Sequence, residues 1–304
     1  MAPDAVPRRA FLGALSGGLV LAAAPRALGQ VAGPPRDLTV LDLHVEGSPR
    51  LANRFTLFVP NHLAPGERVP LLILLHGLGE VGDPRTGAWA WHERYGLGAA
   101  YARLRRAPLA RTSTRGELTD ARLAELNASL ATRPFRGLAI ACPVTPKIAD
   151  AASLEAYADW LTQVVVPRAR KEAPVFPGAA HTAIDGCSMG GPIAFEVAIR
   201  RPQAFGACGG VQSAFGLPRA EVFASRLAAA VPSFARLGPA AGAAIHVETS
   251  ALDPFHDANL ALARSLTTKG IPNDLLDLPG PHDQPWLREA GTLEMLLWHD
   301  RRPR

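Results

Sequence analysis

The segment with the clearest chemical pattern is Gly186-Cys187-Ser188-Met189-Gly190, which fits the pattern G-x-S-x-G. In this pattern a serine occupies a sharp turn between a strand and a helix, and the glycines leave room for that turn. The context fits, because apolar residues precede the motif and Pro192 suits the first turn of a helix. We therefore predict that Ser188 is a nucleophile and that Cys187 is a small buried side chain.

A serine hydroxyl is a weak nucleophile at neutral pH, so this chemistry requires a histidine base and a carboxylate that orients the imidazole. Where this motif serves such chemistry, the acid and then the base follow the serine in the sequence. Four histidines follow Ser188: His246, His256, His282 and His299. We choose His282, because His246 lies in a strand-like run, His299 follows the last predicted helix, and residues 278–286 are predicted to be a loop.

Two aspartates are candidates for the acid. Asp253 follows the strand-like run 245–249 and lies in a predicted loop at its carboxyl end, where catalytic groups collect. Asp257 is the rival, but it begins a helical run and would serve equally well as a helix cap. We prefer Asp253.

Acyl transfer also needs N–H groups that hold the developing oxyanion. The residue after the nucleophile, Met189, is the first expected donor. The second is expected in Leu75-His76-Gly77-Leu78-Gly79, where two glycines let the backbone turn after an apolar strand. Leu78 is our choice, Gly77 is the alternative, and His76 is expected to support this loop rather than to catalyse.

Strand-like runs that alternate with helical stretches must position these residues. Amphipathic runs at 39–45 and 54–59 predict two antiparallel strands, and the continuous apolar run 71–75 predicts a strand covered on both sides. Further strands are predicted at 138–142, 182–185, 207–211 and 244–249, and helices at 154–170, 192–200, 258–269 and 287–298. This alternation predicts an α/β fold with a mainly parallel sheet in one doubly wound domain. Residues 81–134 show no strand-like run and are expected to form a helical insertion, a lid or a substrate wall.

The composition is that of a globular protein, with 48% hydrophobic and 19% charged residues among 304. The net charge of +5 is small, and the densest basic stretch lacks interleaved aromatic residues, so we expect a solvated helix face and no nucleic-acid partner. That stretch comprises Arg103, Arg105, Arg106 and Arg111. Three cysteines without a CxxC pair, and the absence of an HExxH motif, suggest no disulfide framework, metal or cofactor.

Residues 1–29 have the character of an export signal. Arg8-Arg9 opens an apolar run that ends near Ala24 and is too short to span a membrane. Small residues at 27 and 29 offer a cleavage site, and the whole segment resembles a twin-arginine signal. A buried N-terminal helix is the alternative, which the glycines within the run disfavour. We expect a periplasmic or secreted domain, residues 30–304, without a membrane anchor after cleavage.

With these residues placed, residues 53–299 resemble the esterase D-like group of α/β hydrolases, which includes feruloyl and acetyl xylan esterases, S-formylglutathione hydrolases and mycolyltransferases. The segments that carry the resemblance are Phe55-Thr56-Leu57-Phe58-Val59-Pro60, Leu74-Leu75-His76-Gly77-Leu78-Gly79, Gly186-Cys187-Ser188-Met189-Gly190-Gly191, and Leu278-Pro279-Gly280-Pro281-His282-Asp283 with Trp286. The resemblance implies an α/β-hydrolase fold, with Ser188 as nucleophile, His282 as base and Asp253 as acid. Residues 81–134 do not align with this group, so the substrate stays open.

These observations predict an exported serine carboxylic-ester hydrolase that acts through an acyl-enzyme on a small-molecule or carbohydrate-linked ester. The export signal argues against the cytoplasmic glutathione-thioester hydrolases of the same group. Two alternatives use the same fold. One is an acyltransferase that passes the acyl group to a sugar or lipid alcohol on the same triad, and the other is a periplasmic binding protein without turnover.

Overall fold

The computed structural model of the protein describes residues 36–45, 53–235 and 244–302, so the export signal predicted for residues 1–29 lies outside the described residues. Within these ranges the chain forms an eight-stranded sheet in the order β1-β2-β4-β3-β5-β6-β7-β8. The strands are β1 Leu38–His44, β2 Arg54–Pro60, β3 Leu71–Leu75, β4 Ala139–Pro143, β5 Thr182–Gly186, β6 Ala207–Val211, β7 Ile245–Leu252 and β8 Asn273–Pro281.

The sheet is mainly parallel, as the alternating pattern predicted. β2 runs antiparallel to both β1 and β4, and β3 to β8 are parallel to one another. The chain passes from β3 to one side to form β4 and to the other side to form β5, so β3 lies at a topological switch point. In open α/β sheets the crevice beside the carboxyl ends of the strands at such a point is where ligands bind.

Helices cover both faces of the sheet, which explains why all five residues of β3 are buried apolar side chains. The helices are α1 Pro84–Glu93, α2 Leu97–Arg105, α3 Asp120–Thr132, α4 Ala151–Trp160, α5 Val166–Glu172, α6 Gly190–Arg200, α7 Pro218–Ala230, α8 His256–Thr268, α9 Gln284–Trp286 and α10 Thr292–Asp300. Helices α4 to α8 pack on one face, and α2, α3 and α10 pack on the other. None of the helices in the described ranges has the length and apolar character needed to cross a lipid bilayer.

Strand β8 and helices α7 and α9 are absent from the predicted set. Strand β8 runs through Pro281, so His282 directly follows a strand and does not lie in a loop that starts at residue 278. Prolines are tolerated there because β8 is an edge strand, and Gly280 adopts a φ of +121° that suits an irregular end. Helix α7 was also missed, and His299 lies within α10 rather than beyond the last helix.

Residues 81–134 contain α1, α2 and α3. Helices α2 and α3 belong to the packed core of one face, whereas α1 contributes Trp91 to that core and Ala88 to the core of the other face. Tyr101 and Leu104 of α2 are buried in the layer that α10 also fills. Arg105 and Arg106 at the end of α2 are exposed, as predicted for a solvated helix face, and Arg111 beyond the helix is exposed as well, whereas Arg103 is only partly exposed. Arg103 pairs with the buried Glu289, and the other three arginines contact Asp37, Asp120 and the carbonyl of Phe135.

Candidate active site

The turn after β5 places Ser188 at the carboxyl edge of the sheet. Ser188 has a φ of +52°, the left-handed conformation expected of a nucleophile elbow. Its backbone N–H donates to the carbonyl of Val211 at 2.9 Å, and the N–H of Cys187 donates to that of Leu75 at 3.1 Å. A Cβ at Gly190 would lie 2.4 Å from the carbonyl oxygen of Leu75, so only glycine lets helix α6 approach β3 this closely.

His282 connects Ser188 to Asp253 by two hydrogen bonds. Its Nε2 lies 3.0 Å from Ser188 Oγ, and its Nδ1 lies 2.9 Å from Asp253 Oδ1. The carboxylate can only accept, so Nδ1 carries the proton and Nε2 is free to accept the hydroxyl proton of the serine. The ring of Phe255 packs edge-on against the imidazole, with 5.6 Å between the ring centroids.

Asp253 is held so that one of its oxygens faces His282. Its side chain is fully buried, and it also accepts hydrogen bonds from Thr249 Oγ1 at 3.1 Å and from the N–H of Phe255 at 3.0 Å. The rival Asp257 is 87% exposed, and its closest charged partner is His256, 3.6 Å away. The structure therefore brings Ser188, His282 and Asp253 together and leaves Asp257 outside the group.

The loop after β3 provides a second edge of the site. The N–H of Gly77 donates to the hydroxyl of Tyr95 at 3.2 Å, so it is already used. Within the described part of the chain, the N–H groups of Leu78 and Met189 have no hydrogen-bond acceptor. A Cβ at Gly77 would lie 3.5 Å from Ser188 Cβ, which places this loop directly against Ser188.

His76 fixes the orientation of that loop. Its buried ring donates from Nδ1 to the carbonyl of Gly77 at 2.8 Å and accepts at Nε2 from the N–H of Thr145 at 2.8 Å. Burial lowers the pKa of His76 to about 4, so the ring is neutral and can donate one hydrogen bond while it accepts the other. In a trans peptide the C=O and the next N–H point in opposite directions. Holding the Gly77 carbonyl therefore directs the N–H of Leu78 away from the His76 ring.

Tyr95 and Glu80 support the same loop, although no sequence pattern marks them as site residues. The hydroxyl of Tyr95 accepts from Gly77 and donates to the carboxylate of Glu80, whose pKa is raised by burial. Both lie in the stretch 78–95, which has no recognisable motif. Farther along this insertion, Arg115 contacts Asp283 at 2.9 Å, next to His282.

Asp185, His246 and His299 form the group of described residues whose ligand atoms best suit a metal ion. Asp185 Oδ2 lies 3.0 Å from His246 Nδ1 and 3.0 Å from His299 Nε2. These are the lengths of charge-assisted hydrogen bonds. Burial opposes ionisation of His246, but its hydrogen bond to Asp185 and the carboxylate of Glu248, 3.4 Å from its Nε2, raise its pKa to about 10. Burial lowers the pKa of His299 to about 4. We interpret the group as an ionised Asp185–His246 pair beside a neutral imidazole.

No protein-family model matches the sequence, and no curated protein matches it. Solved structures do. A ferulic acid esterase aligns with a TM-score of 0.59 at 17% identity and covers 87% of this chain and 97% of its own. The S-formylglutathione hydrolase FrmB of Staphylococcus aureus gives a TM-score of 0.55 at 15% identity and covers 88% of this chain and 99% of its own.

The feruloyl esterase module of Clostridium thermocellum gives a TM-score of 0.59 at 12% identity, with coverage of 92% of this chain and 94% of its own. These alignments extend over nearly the whole sheet and its helices. The chain has the α/β-hydrolase fold, in the form seen in feruloyl esterases and S-formylglutathione hydrolases.

Proposed function

We propose that the protein is a serine carboxylic-ester hydrolase that works through an acyl-enzyme. The observation that carries this proposal is the unbroken series of hydrogen bonds from Asp253 through His282 to Ser188. Two N–H groups without an acceptor, those of Leu78 and Met189, flank the same turn and provide a site for an oxyanion. Each part required for acyl transfer is thus supplied by the chain itself.

The reaction begins when Ser188 Oγ attacks the ester carbonyl and its proton moves to His282 Nε2. The carbonyl oxygen becomes an oxyanion, which accepts hydrogen bonds from the N–H groups of Met189 and Leu78. Asp253 stabilises the imidazolium and keeps its Nδ1 proton in place. His282 then protonates the leaving alcohol as the C–O bond breaks, and the acyl group remains on Ser188.

A water molecule completes the cycle. His282 removes a proton from the water as its oxygen attacks the acyl-enzyme, and the same two N–H groups hold the second oxyanion. His282 then returns the proton to Ser188 Oγ, and the carboxylic acid leaves. Transfer to a sugar or lipid alcohol would follow the same steps with that alcohol in the place of the water.

We propose esters of small or carbohydrate-linked alcohols as the substrate class. The similar structures include a ferulic acid esterase and a feruloyl esterase module complexed with sinapinate, which supports starting with aromatic acyl groups. Leu78, which follows Gly77 in the sequence, is 54% exposed, and Leu252, which precedes Asp253, is also exposed. Both present apolar surface near the triad, which favours an apolar acyl or alkyl group.

Labelling with a fluorophosphonate, followed by peptide mass mapping, tests the proposal. We expect a single adduct, on Ser188. We also expect the wild-type protein to hydrolyse p-nitrophenyl, feruloyl or acetylated-sugar esters and the Ser188→Ala variant to lose this activity. Ser225→Ala is the matched control, because Ser225 lies on the exposed side of α7. Unlabelled Ser188 in folded protein, or full hydrolysis by Ser188→Ala, would contradict the proposal. Accumulation of an acylated sugar when a carbohydrate is added would favour acyl transfer.

We also propose export to the periplasm or the medium by the twin-arginine route, which rests on the sequence of residues 1–29. Replacement of Arg8 and Arg9 by lysine should retain the protein in the cytoplasm. Cell fractionation and sequencing of the mature N-terminus measure this. Unchanged export of the double variant would contradict the twin-arginine route.

A further inference from the structure

Gln212 has an unusual backbone for its residue type. Among the described residues, only Ser188 and Gln212 have a positive φ without being glycine, and the φ of Gln212 is +47°. Such a conformation is unfavourable for a residue with a long side chain and persists where its surroundings hold it in place. Gln212 follows β6 directly, and its side chain is buried. The fold thus keeps a strained glutamine one strand away from the nucleophile.

Gln212 connects the end of β6 to β7 and β8. Its backbone N–H donates to the carbonyl of Glu248 in β7 at 2.6 Å. Its side-chain Nε2 donates to Ser250 Oγ at 2.6 Å and to the carbonyl of Pro281 at 3.1 Å. Pro281 is the last residue of β8 and immediately precedes His282.

The backbone on either side of Gln212 is bound to the nucleophile. The carbonyl of Val211 accepts the N–H of Ser188 at 2.9 Å, and the N–H of Ala214 donates to the carbonyl of Ser188 at 2.9 Å. The turn at residues 211–214 is therefore fixed to Ser188. Its one long side chain reaches the strand end that carries His282.

This contact lies where the pairing of β7 and β8 becomes irregular. Ser250 pairs with Leu278, but Leu252 pairs with Pro281, so the register shifts between them. Prolines at 279 and 281 also remove two N–H groups that could tie β8 to a neighbour. The amide of Gln212 spans this irregularity, because it contacts Ser250 on one strand and Pro281 on the other.

We infer that Gln212 is a positioning residue that sets the separation of His282 from Ser188 by holding the end of β8 against the nucleophile turn. The inference rests on the proposed function. Proton transfer requires the observed 3.0 Å between Ser188 Oγ and His282 Nε2. The amide of Gln212 acts beside the hydrogen bonds that His282 makes with Asp253 and that the N–H of Asp283 makes with the carbonyl of Pro281, and it joins this segment to the turn that is bound to Ser188.

Two substitutions separate positioning from folding. Gln212→Asn keeps an amide and suits a positive φ better than glutamine does, but its shorter side chain cannot reach Pro281. Gln212→Met keeps the length and shape of the side chain but removes the donor. Gln163→Ala is the matched control, because Gln163 is exposed and its amide contacts only the neighbouring Asp159.

The experiment measures kcat, KM and the rate of fluorophosphonate labelling with the full-length chain, and circular dichroism reports folding. We expect kcat and the labelling rate to fall together by roughly 10- to 100-fold in both Gln212 variants, since misplacement by about 1 Å has effects of that size. KM should stay within about twofold, because the binding surface is untouched. Gln163→Ala should match the wild-type protein.

Several outcomes would overturn the inference. One is a folded Gln212→Asn protein with wild-type kcat and labelling rate, and another is a change confined to KM. Loss of structure in both variants would assign Gln212 to stability alone. Failure of the proposed function is recognised separately, because the wild-type protein would then neither hydrolyse esters nor react at Ser188.

Discussion

Replacement of His76 by alanine tests how the loop after β3 is held. His76 is fully buried, and its ring satisfies both the carbonyl of Gly77 and the N–H of Thr145. Leaving these two backbone groups unpaired should cost about 1–3 kcal/mol each, or about 2–6 kcal/mol of unfolding free energy at pH 7. The N–H of Leu78 would also lose its fixed direction. Loss of one oxyanion donor lowers kcat by about 10²- to 10³-fold.

The pH dependence gives this prediction a second, independent measure. The pKa of His76 is lowered from 6.5 to about 4, so the folded protein binds fewer protons than the unfolded chain between these values. The stability that His76 contributes is complete above pH 6.5 and is lost as the pH falls towards 4. A difference of 2.5 pKa units (6.5 minus 4) at about 1.36 kcal/mol per unit amounts to about 3.4 kcal/mol.

Urea unfolding of the wild-type and His76→Ala proteins at pH 7, 5.5 and 4 measures both effects. The stability difference between them should shrink by about 3 kcal/mol on acidification, because the variant lacks the group that titrates. His299, whose pKa is also lowered to about 4, acts equally in both proteins. His44→Ala, at the exposed end of β1, is the control. A constant difference across this pH range, or an unchanged kcat in His76→Ala, would refute the reasoning.

Three further predictions concern other buried groups. Asp253→Asn should lower kcat by about 10⁴-fold with little change in KM, because asparagine no longer holds the imidazole in the tautomer that carries the proton on Nδ1. A loss of less than tenfold in steady-state kinetics would contradict this. The free energy of unfolding should fall between pH 7 and 10. In the folded protein the pKa of His246 is raised to about 10 and that of Glu248 to about 8, so the folded state binds more protons than the unfolded chain over this range. A melting temperature that stays constant over this range would argue against it. Glu289→Gln should destabilise the protein by about 3–5 kcal/mol in urea, because it breaks the buried pair with Arg103, and a loss below 1 kcal/mol would show that the pair is replaceable.

The sequence carried enough information to predict most of the fold. The run at 71–75 and the apolar stretch before Gly186 each predict a buried parallel strand, and both are present as β3 and β5. Strand β8 was missed because Pro279, Gly280 and Pro281 are typical of turns, and only its position at the sheet edge makes them acceptable in a strand. That position is a property of the tertiary structure, which local patterns do not contain.

The candidate site also contains residues that the sequence predicts and residues that it does not. Ser188 is marked by a motif, the order of such groups limits the base to four histidines, and the predicted strands and helices around His282 and Asp253 then favour these two residues. Gln212 has no such signal, because its significance depends on a backbone conformation and on the carbonyl of a residue 69 positions away. Tyr95 acts on Gly77 through a contact that forms only after the insertion has packed. Supporting residues of this kind require coordinates.

The ion pairs that join residues 81–134 to the rest of the chain limit how this protein could be redesigned. Arg103 and Arg122 join α2 and α3 to Glu289 and Glu294 of the C-terminal segment, so these helices cannot be exchanged as a cassette without breaking buried ion pairs. The short stretch from residue 114 to residue 116 is exposed and meets the triad side through Arg115. Libraries intended to change which ester is accepted should therefore vary that stretch and leave the helices intact.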